Sequence, residues 1–207
     1  MNPPSRYPVP GRTHRVVEHI KRSRFVTTIA RASTADEAAA VVRAISAEFM
    51  DSTHNCWAYV IGPPGSTSKV GMSDAGEPHG TAGRPMLAAL LHSGVGDIVA
   101  VVTRYYGGTK LGTGGLVRAY GGGVQQALVT LPLIEKIEFA GLTLDVDYQR
   151  AGAVQQLFAA FEVEILSQRF DAGAHFEIRL PEARLEAFRQ AVLDATRGQA
   201  RLSAAAV

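Results

Sequence analysis

Two glycine-rich loops within residues 74–121 constrain the fold of this chain more than any other feature. The first begins at Asp74 and reads Asp-Ala-Gly-Glu-Pro-His-Gly-Thr-Ala-Gly, and the second runs over residues 107–115. Between them lies the apolar run 98–103, a pattern typical of a strand that is buried on both faces. Glycine permits tight turns and close backbone approach. The pattern predicts a buried strand flanked by two loops that carry charged side chains.

The loops contain two long motifs. D-x-G-E-P-x-G-T-A-G-x-P begins at Asp74, and R-Y-[FY]-G-G-x-x-L-G-x-G-G-L-x-R-A-Y begins at Arg104. Together with Lys-Arg-Ser-Arg-Phe from Lys21 and with His54 before Cys-Trp-Ala-Tyr, they give a chain that resembles the YigZ/IMPACT family, most strongly over residues 12–132.

The resemblance implies an α+β fold with two domains. The N-terminal αβ domain would contain a left-handed βαβ unit, like a small-subunit ribosomal protein domain and domain IV of elongation factor G. The C-terminal domain would be a ferredoxin-like βαββαβ sandwich, like domain V of that factor. The resemblance therefore places the protein near RNA or ribosomes, although one fold hosts many functions.

The local patterns agree with this organisation. Thr34 and Glu37 form a capping box ahead of an amphipathic helix, and Pro132 ends the first unit. After it, apolar periodicity predicts a strand, a helix, a hairpin around Asp171, a helix and a short last strand. We expect a disordered lead-in over residues 1–12, an IMPACT-type domain over 13–132 and a ferredoxin-like domain over 137–207.

Charge is divided unevenly between the halves. Residues 1–133 hold 13 Lys and Arg against 8 Asp and Glu, whereas residues 134–207 hold 8 against 11. The basic half is the one suited to phosphate. Cys56 is the single cysteine, and no apolar run is long enough to cross a membrane. Together with the absence of a signal-peptide pattern, these features favour a cytoplasmic protein without a membrane partner, whose oligomeric state stays open.

The second loop is a candidate site for an anion or nucleic acid. It precedes a helix, and the first turn of a helix has free N–H groups at the positive end of the dipole. The alternative is that its glycines serve tight strand-to-helix packing. The candidate residues are Arg24, Arg104, Tyr105, Lys110, Gly112, Gly114, Gly115 and Arg118.

The first loop suggests a polar cleft formed by His54, Asp74, Glu77 and His79. Carboxylates and imidazoles can act as acid and base or hold a cation, but their spacing here matches no metal motif. The alternative is turn chemistry, in which Asp74 bonds its own backbone and Glu77 caps the next helix. We expect Asp74, Glu77, Arg104, Lys110 and Arg118 to converge on one cleft. No catalytic residue, metal or cofactor is expected.

Gly121-Gly-Gly interrupts the helix after the second loop. Each glycine inside a helix destabilises it by about 1 kcal/mol relative to alanine, which predicts close backbone packing there.

The favoured function is non-enzymatic binding of RNA, a ribosome or a translation-control protein through the N-terminal domain, because the family's eukaryotic relatives act in translational control. A protein-interaction regulator without nucleic-acid contact and an enzyme acting on a phosphorylated small molecule remain as alternatives.

Overall fold

The computed structural model describes residues 5–205 and divides the chain into two units. The N-terminal unit covers Tyr7–Lys136, and the other joins the residues from Ile137 onward to Ser5 and Arg6. No helix in the described part of the chain is long and apolar enough to span a membrane.

The N-terminal unit contains one five-stranded sheet and three helices. Its elements, together with the strands at its two ends, are β1 (Arg6–Pro10), β2 (His14–Ile20), β3 (Ser23–Arg31), α1 (Ala35–Glu48), β4 (His54–Val60), β5 (Val70–Ser73), α2 (Gly83–Leu91), β6 (Ile98–Tyr105), α3 (Thr113–Val129) and β7 (Leu133–Ile137). The sheet order is β2-β3-β6-β4-β5, and all its pairs are antiparallel. β3 and β4 lie on either side of β6, so α1 makes the crossover of a βαβ unit.

The main core lies between this sheet and the helices α2 and α3. Phe25, Ala58, Val102 and Tyr120 are buried there, and Tyr120 meets Phe25 edge to face at 5.5 Å between centroids. The helix α1 packs on the opposite face, where Ala38 contacts a smaller cluster around Val99. Thr34 is confirmed as the N-cap of this helix, because the Glu37 N–H donates to Thr34 Oγ1. The Glu37 carboxylate returns a bond one residue before the cap, where Oε2 accepts from the Ser33 N–H. The apolar run is buried on both faces, as predicted.

The C-terminal unit is the ferredoxin-like sandwich that the sequence predicts. Its elements are β8 (Phe139–Val146), α4 (Tyr148–Ala160), β9 (Glu164–Phe170), β10 (Ala174–Pro181), α5 (Leu185–Thr196) and β11 (Arg201–Ala205), with a short 3-10 helix (Glu182–Arg184) before α5. The sheet order β11-β8-β10-β9 interleaves the two strand–helix–strand halves, because β10 lies between β8 and β9 and β8 lies between β10 and β11. Phe158, Phe176 and Phe188 form the centre of its core.

The expected disordered lead-in differs from the structure. Residues 1–4 lie outside the described range, but β1 pairs with β7 in a two-stranded ribbon. Tyr7 and Val9 are buried, and the Tyr7 hydroxyl bonds Asp97 at 3.1 Å. Prolines near the start of the sequence predicted disorder, but an edge strand tolerates proline wherever its N–H is not needed in the ladder.

Candidate anion-binding surface

The turn between β2 and β3 places two cations beside the second glycine loop. Lys21 and Arg22 both have positive φ, 44° and 68°, and they connect the paired residues Ile20 and Ser23. A Cβ atom at Gly107 would lie 1.9 Å from the Arg22 carbonyl oxygen. The backbone of the glycine loop therefore rests directly on this turn, and only glycine fits at that contact.

The same loop leads into the N-terminus of α3. Gly112 has φ 76°, and no side chain within residues 5–205 caps the helix. The Leu116 N–H already bonds the Gly112 carbonyl at 2.9 Å. The N–H groups of the preceding residues point out of the first turn at the positive end of the helix dipole. Such an end favours anions.

Lys21 and Arg118 line a small cavity against this helix terminus. The cavity has a volume of about 180 Å³, and its wall also includes Ile20, Leu111, Gly115 and Ala119. Lys110 is exposed in the same loop, and Arg22 is exposed on the turn. We call Lys21, Arg22, Lys110, Arg118 and the first turn of α3 the basic surface.

Arg104 does not belong to this surface, in contrast to the sequence-based prediction. Its side chain is buried, with the residue only 5% exposed, and Nη1 donates to Glu77 Oε1 at 2.6 Å. The Tyr120 hydroxyl donates to the same oxygen at 2.7 Å. Burial raises the pKa of that hydroxyl, so Tyr120 stays a donor at neutral pH. The ion pair thus joins the first glycine-rich loop to the end of β6, which leads into the second loop, and it is buried where phosphate in solvent does not reach it.

Arg24 and Tyr105 point to the other face of the sheet. They are paired across β3 and β6, one position from the pair Phe25 and Arg104, and successive side chains of a strand alternate between faces. The Arg24 guanidinium stacks on the Tyr105 ring at 4.1 Å, and the Tyr105 hydroxyl donates to Asp51 at 2.7 Å. The residues of the predicted anion site therefore do not all lie together. Those at the start of α3 belong to the basic surface, and Arg24 and Tyr105 do not.

Asp74 stabilises the start of α2. Its carboxylate accepts the N–H groups of Gly80, Ala82 and Gly83 at 2.7, 3.0 and 2.8 Å. Desolvation opposes ionisation of this carboxylate, but the backbone donors outweigh it and lower its pKa. Of the alternative of turn chemistry, the part that has Asp74 bonding backbone N–H groups agrees with the structure, whereas Glu77 pairs with Arg104 and does not cap the helix.

The two histidines of the predicted polar cleft are placed differently. His54 Nδ1 lies 2.9 Å from the Ala75 carbonyl oxygen and is covered by Gly76, where a Cβ would lie 3.3 Å away. His79 is fully exposed, 3.7 Å from an Asp74 oxygen. In residues 5–205, no three His, Cys, Asp or Glu side chains are arranged to hold a metal ion.

Cys56 is a buried structural thiol. Its Sγ–H donates to the Asp74 carbonyl oxygen at 2.9 Å, and burial raises the thiol pKa to about 12. The thiolate is therefore scarce at neutral pH, so Cys56 is unsuited to act as a nucleophile.

The predicted site set omitted Lys21 and Arg22. The available signal was the pair of adjacent cations that opens the motif Lys-Arg-Ser-Arg-Phe. What the sequence does not show is that Gly107 holds this turn against the loop, because that contact spans 85 residues of chain.

Both parts of the chain match known families. Residues 21–128 match the Impact N-terminal domain, and residues 144–199 match a domain of unknown function, DUF1949.

Similar proteins cover almost the whole chain. IMPACT family member YigZ of Escherichia coli (strain K12) is 43% identical over 95% of this chain and 96% of its own length. An IMPACT family member of Haemophilus influenzae is 47% identical over 88% of each chain. Among solved structures, the crystal structure of a hypothetical protein is 41% identical, covers 98% of both chains and has a TM-score of 0.70.

Proposed function

The chain belongs to the IMPACT family, as its motifs predicted, and from that premise we propose that it binds the phosphate backbone of RNA through the basic surface. The proposed setting is translation, with ribosomal or other single-stranded RNA as the polyanion. The protein would act as a cytoplasmic binding protein and not as an enzyme.

One observation carries the proposal. The contact between Gly107 and Arg22 holds the turn of Lys21 and Arg22 against the second glycine loop, and Lys21 lines a cavity with Gly115 and Arg118 at the uncapped start of α3. Backbone N–H groups at a helix N-terminus bind phosphate oxygens, and arginine adds a planar fork of donors. Two non-glycine residues with positive φ at one turn are a strained arrangement, which favours a role for these side chains.

RNA suits the surface better than a single small phosphate compound does. The cations lie on an exposed turn, an exposed loop and a helix end, so they form an open surface and not an enclosed pocket. Open rows of cations follow a polyanion, and neutralising several phosphates releases several counterions. The concentration of positive charge in residues 1–133 supports the same assignment.

The alternative of an enzyme acting on a phosphorylated small molecule is weakened, because three of its candidate groups have structural roles. Asp74 caps α2, Glu77 neutralises buried Arg104, and the Cys56 thiol stays protonated. A general base needs a free lone pair within reach of substrate, and these groups are engaged.

The test measures binding of the full chain to a short single-stranded RNA across a salt series. The variant Lys21→Asn with Arg22→Gly removes two charges and introduces Asn-Gly, the dipeptide that suits a two-residue hairpin turn. The plot of log K against log salt should flatten by about 0.7 for each phosphate contact removed.

The matched control removes two exposed cations elsewhere in the N-terminal unit, through Arg31→Asn and Arg43→Gln. It should leave the slope unchanged. Equal effects of both variants, or wild-type binding that ignores salt, would overturn the assignment. Co-sedimentation with ribosomes over the same salt series should show the same order of variants. Binding to a translation-control protein that both variants retain would favour the interaction regulator.

A further inference from the structure

A second concave feature lies next to the basic surface, between α2 and α3. This groove has a volume of about 600 Å³. Its wall is mainly apolar and includes Pro85, Ala88 and Val117, with Gln125 and Ser93 as polar groups. A mostly apolar concavity of this size with a few polar groups is the usual form of a ligand site. None of the residues assigned above to the polar cleft lines it.

Gly122 supplies an independent observation. It is the middle of three helical glycines, and a Cβ at either neighbour would contact the rest of the chain. At Gly123 it would lie 2.8 Å from Thr27 Oγ1, too close for a side chain, and at Gly121 it would lie 3.4 Å from Pro85, an ordinary van der Waals contact. At Gly122, by contrast, a Cβ would meet nothing in the described chain within 4 Å. Glycine destabilises a helix interior relative to alanine. Packing within the described chain does not account for a glycine at position 122.

Gly122 lines the groove, and that position accounts for the missing side chain. A glycine allows another molecule to approach the helix backbone closely. A flat ring can use such a surface, because it contacts the backbone over its whole face.

Arg118 connects the groove with the basic surface. It lines both the groove and the small cavity at the N-terminus of α3. Arg118 is also the one Lys, Arg, Asp or Glu among the described residues that line the groove. An occupant of the groove therefore combines a mainly apolar body with an anionic group at the Arg118 end. A nucleotide has this composition.

We propose that the groove between α2 and α3 takes one unpaired base of the RNA strand whose phosphates contact the basic surface. The base lies on the backbone at Gly122, and Arg118 binds the phosphate that joins this nucleotide to the strand. Gln125 offers an amide to the base edge. This inference rests on the proposed function and adds to it a preference for nucleic acid over a simple polyanion.

The experiment fills the groove and leaves the cations in place. Gly122→Leu projects a side chain into the groove, and Gly122→Ala is the smaller step. The matched control is Gly152→Leu in α4, because a Cβ at Gly152 also meets nothing within 4 Å of the described chain. Thermal unfolding is recorded for every variant to check that it is folded. An alanine in place of either glycine favours the helix and should not lower the unfolding temperature.

Two probes separate the base from its phosphates: a short single-stranded RNA and inorganic polyphosphate of equal charge. The wild type should prefer the RNA by roughly tenfold, within the range for one base on a protein surface. Gly122→Leu should abolish that preference and keep the salt-dependent binding of polyphosphate. Gly152→Leu should retain both. A 2-aminopurine in the RNA should change its fluorescence with wild type and not with Gly122→Leu.

The outcomes distinguish the two proposals. If Gly122→Leu binds polyphosphate and still prefers RNA as the wild type does, the groove inference is overturned and the basic-surface proposal stands. The groove inference is also overturned if a protein helix occupies the groove in the absence of RNA and removes the preference for RNA. Absence of salt-dependent binding to either probe overturns the proposed function itself.

Discussion

Glu77 and Arg104 lie 27 residues apart, and their side chains form a buried ion pair with 2.6 Å between Oε1 and Nη1. Each belongs to one of the two motifs that identify the family. The pair explains why both motifs combine glycine with charge: the loops turn on the glycines, and the two motifs are joined below the surface by the charges. Arg104 Nε lacks a hydrogen-bond partner among the described residues, so the guanidinium is held largely by Glu77 and by the rings of Phe25 and Tyr106.

Removing one partner of this pair should destabilise the protein strongly. Arg104→Ala leaves the Glu77 carboxylate buried and uncompensated, which should lower the free energy of unfolding by about 3–5 kcal/mol. Urea denaturation measures the effect. The double variant Arg104→Met with Glu77→Leu should recover a large part of the loss, because no buried charge remains. A single variant that unfolds like the wild type would contradict the geometry.

Asp74→Ala should weaken the start of α2 by about 2 kcal/mol, since three backbone N–H groups lose their acceptor. The pKa of Asp74 is lowered in the folded state, so its contribution is present above the ordinary value of 3.8 and is lost as pH falls through the folded pKa. The stability difference between wild type and variant, measured by denaturation, should therefore be present at neutral pH and disappear at acid pH. His79→Ala changes an exposed neighbour and should stay within about 0.5 kcal/mol of wild type.

Gly107→Ala should displace the Lys21–Arg22 turn, because the added Cβ would lie 1.9 Å from the Arg22 carbonyl oxygen. We expect a loss of at least about 3 kcal/mol in the free energy of unfolding, together with weaker RNA binding in any folded fraction. Gly114→Ala is the comparison, since its Cβ would be 3.8 Å from Arg118 Nη1 and the backbone is helical. If both variants behave alike in thermal unfolding, the contact at Gly107 does not hold the turn.

His175 should stabilise the C-terminal unit in a pH-dependent way. Its Nδ1 lies 2.5 Å from Asp145 and its Nε2 3.0 Å from Asp171, so only the imidazolium donates to both carboxylates. Hydrogen bonds to Asp145 and Asp171 raise the His175 pKa above its ordinary value of 6.5.

A raised pKa means that this stabilisation is complete below pH 6.5 and disappears as pH rises through the folded pKa. The stability difference between wild type and His175→Gln should follow that course. An NMR titration of His175 in the wild type and in Asp171→Asn checks the cause, because the asparagine should lower the pKa. A titration curve that is the same in both proteins would exclude the proposed pairing.

Local patterns in the sequence were sufficient for most elements of the fold. The N-cap at Thr34, the buried strand β6 and the order of elements in the C-terminal unit all depend on neighbouring residues, whose periodicity is visible directly. The ferredoxin-like sheet follows from that order together with the resemblance.

The site was harder to predict because it depends on which face each strand residue uses. Arg104 and Tyr105 are adjacent in sequence and reach opposite sides of the sheet, and nothing local shows which of them faces α3. The roles of Asp74 and Glu77 were also not visible in the sequence. Both are carboxylates near a helix start, and local sequence does not show which of them accepts its N–H groups. The strand β1 was missed because its partner, β7, lies more than 120 residues later in the chain.

The order of the two families along the sequence suggests consecutive domains, but the chain is nested. Arg6 and Ile137 belong to the same unit, and Arg6 forms an ion pair there with Glu162. The unit Tyr7–Lys136 thus lies in the sequence between two parts of the other unit, and its first and last residues meet where Lys136 Nζ donates to the Tyr7 hydroxyl at 3.0 Å. A unit with adjacent ends is suited to circular permutation or to transplantation into a loop of another protein. Cutting the chain near residue 136, conversely, would separate Ser5 and Arg6 from the other residues of their unit.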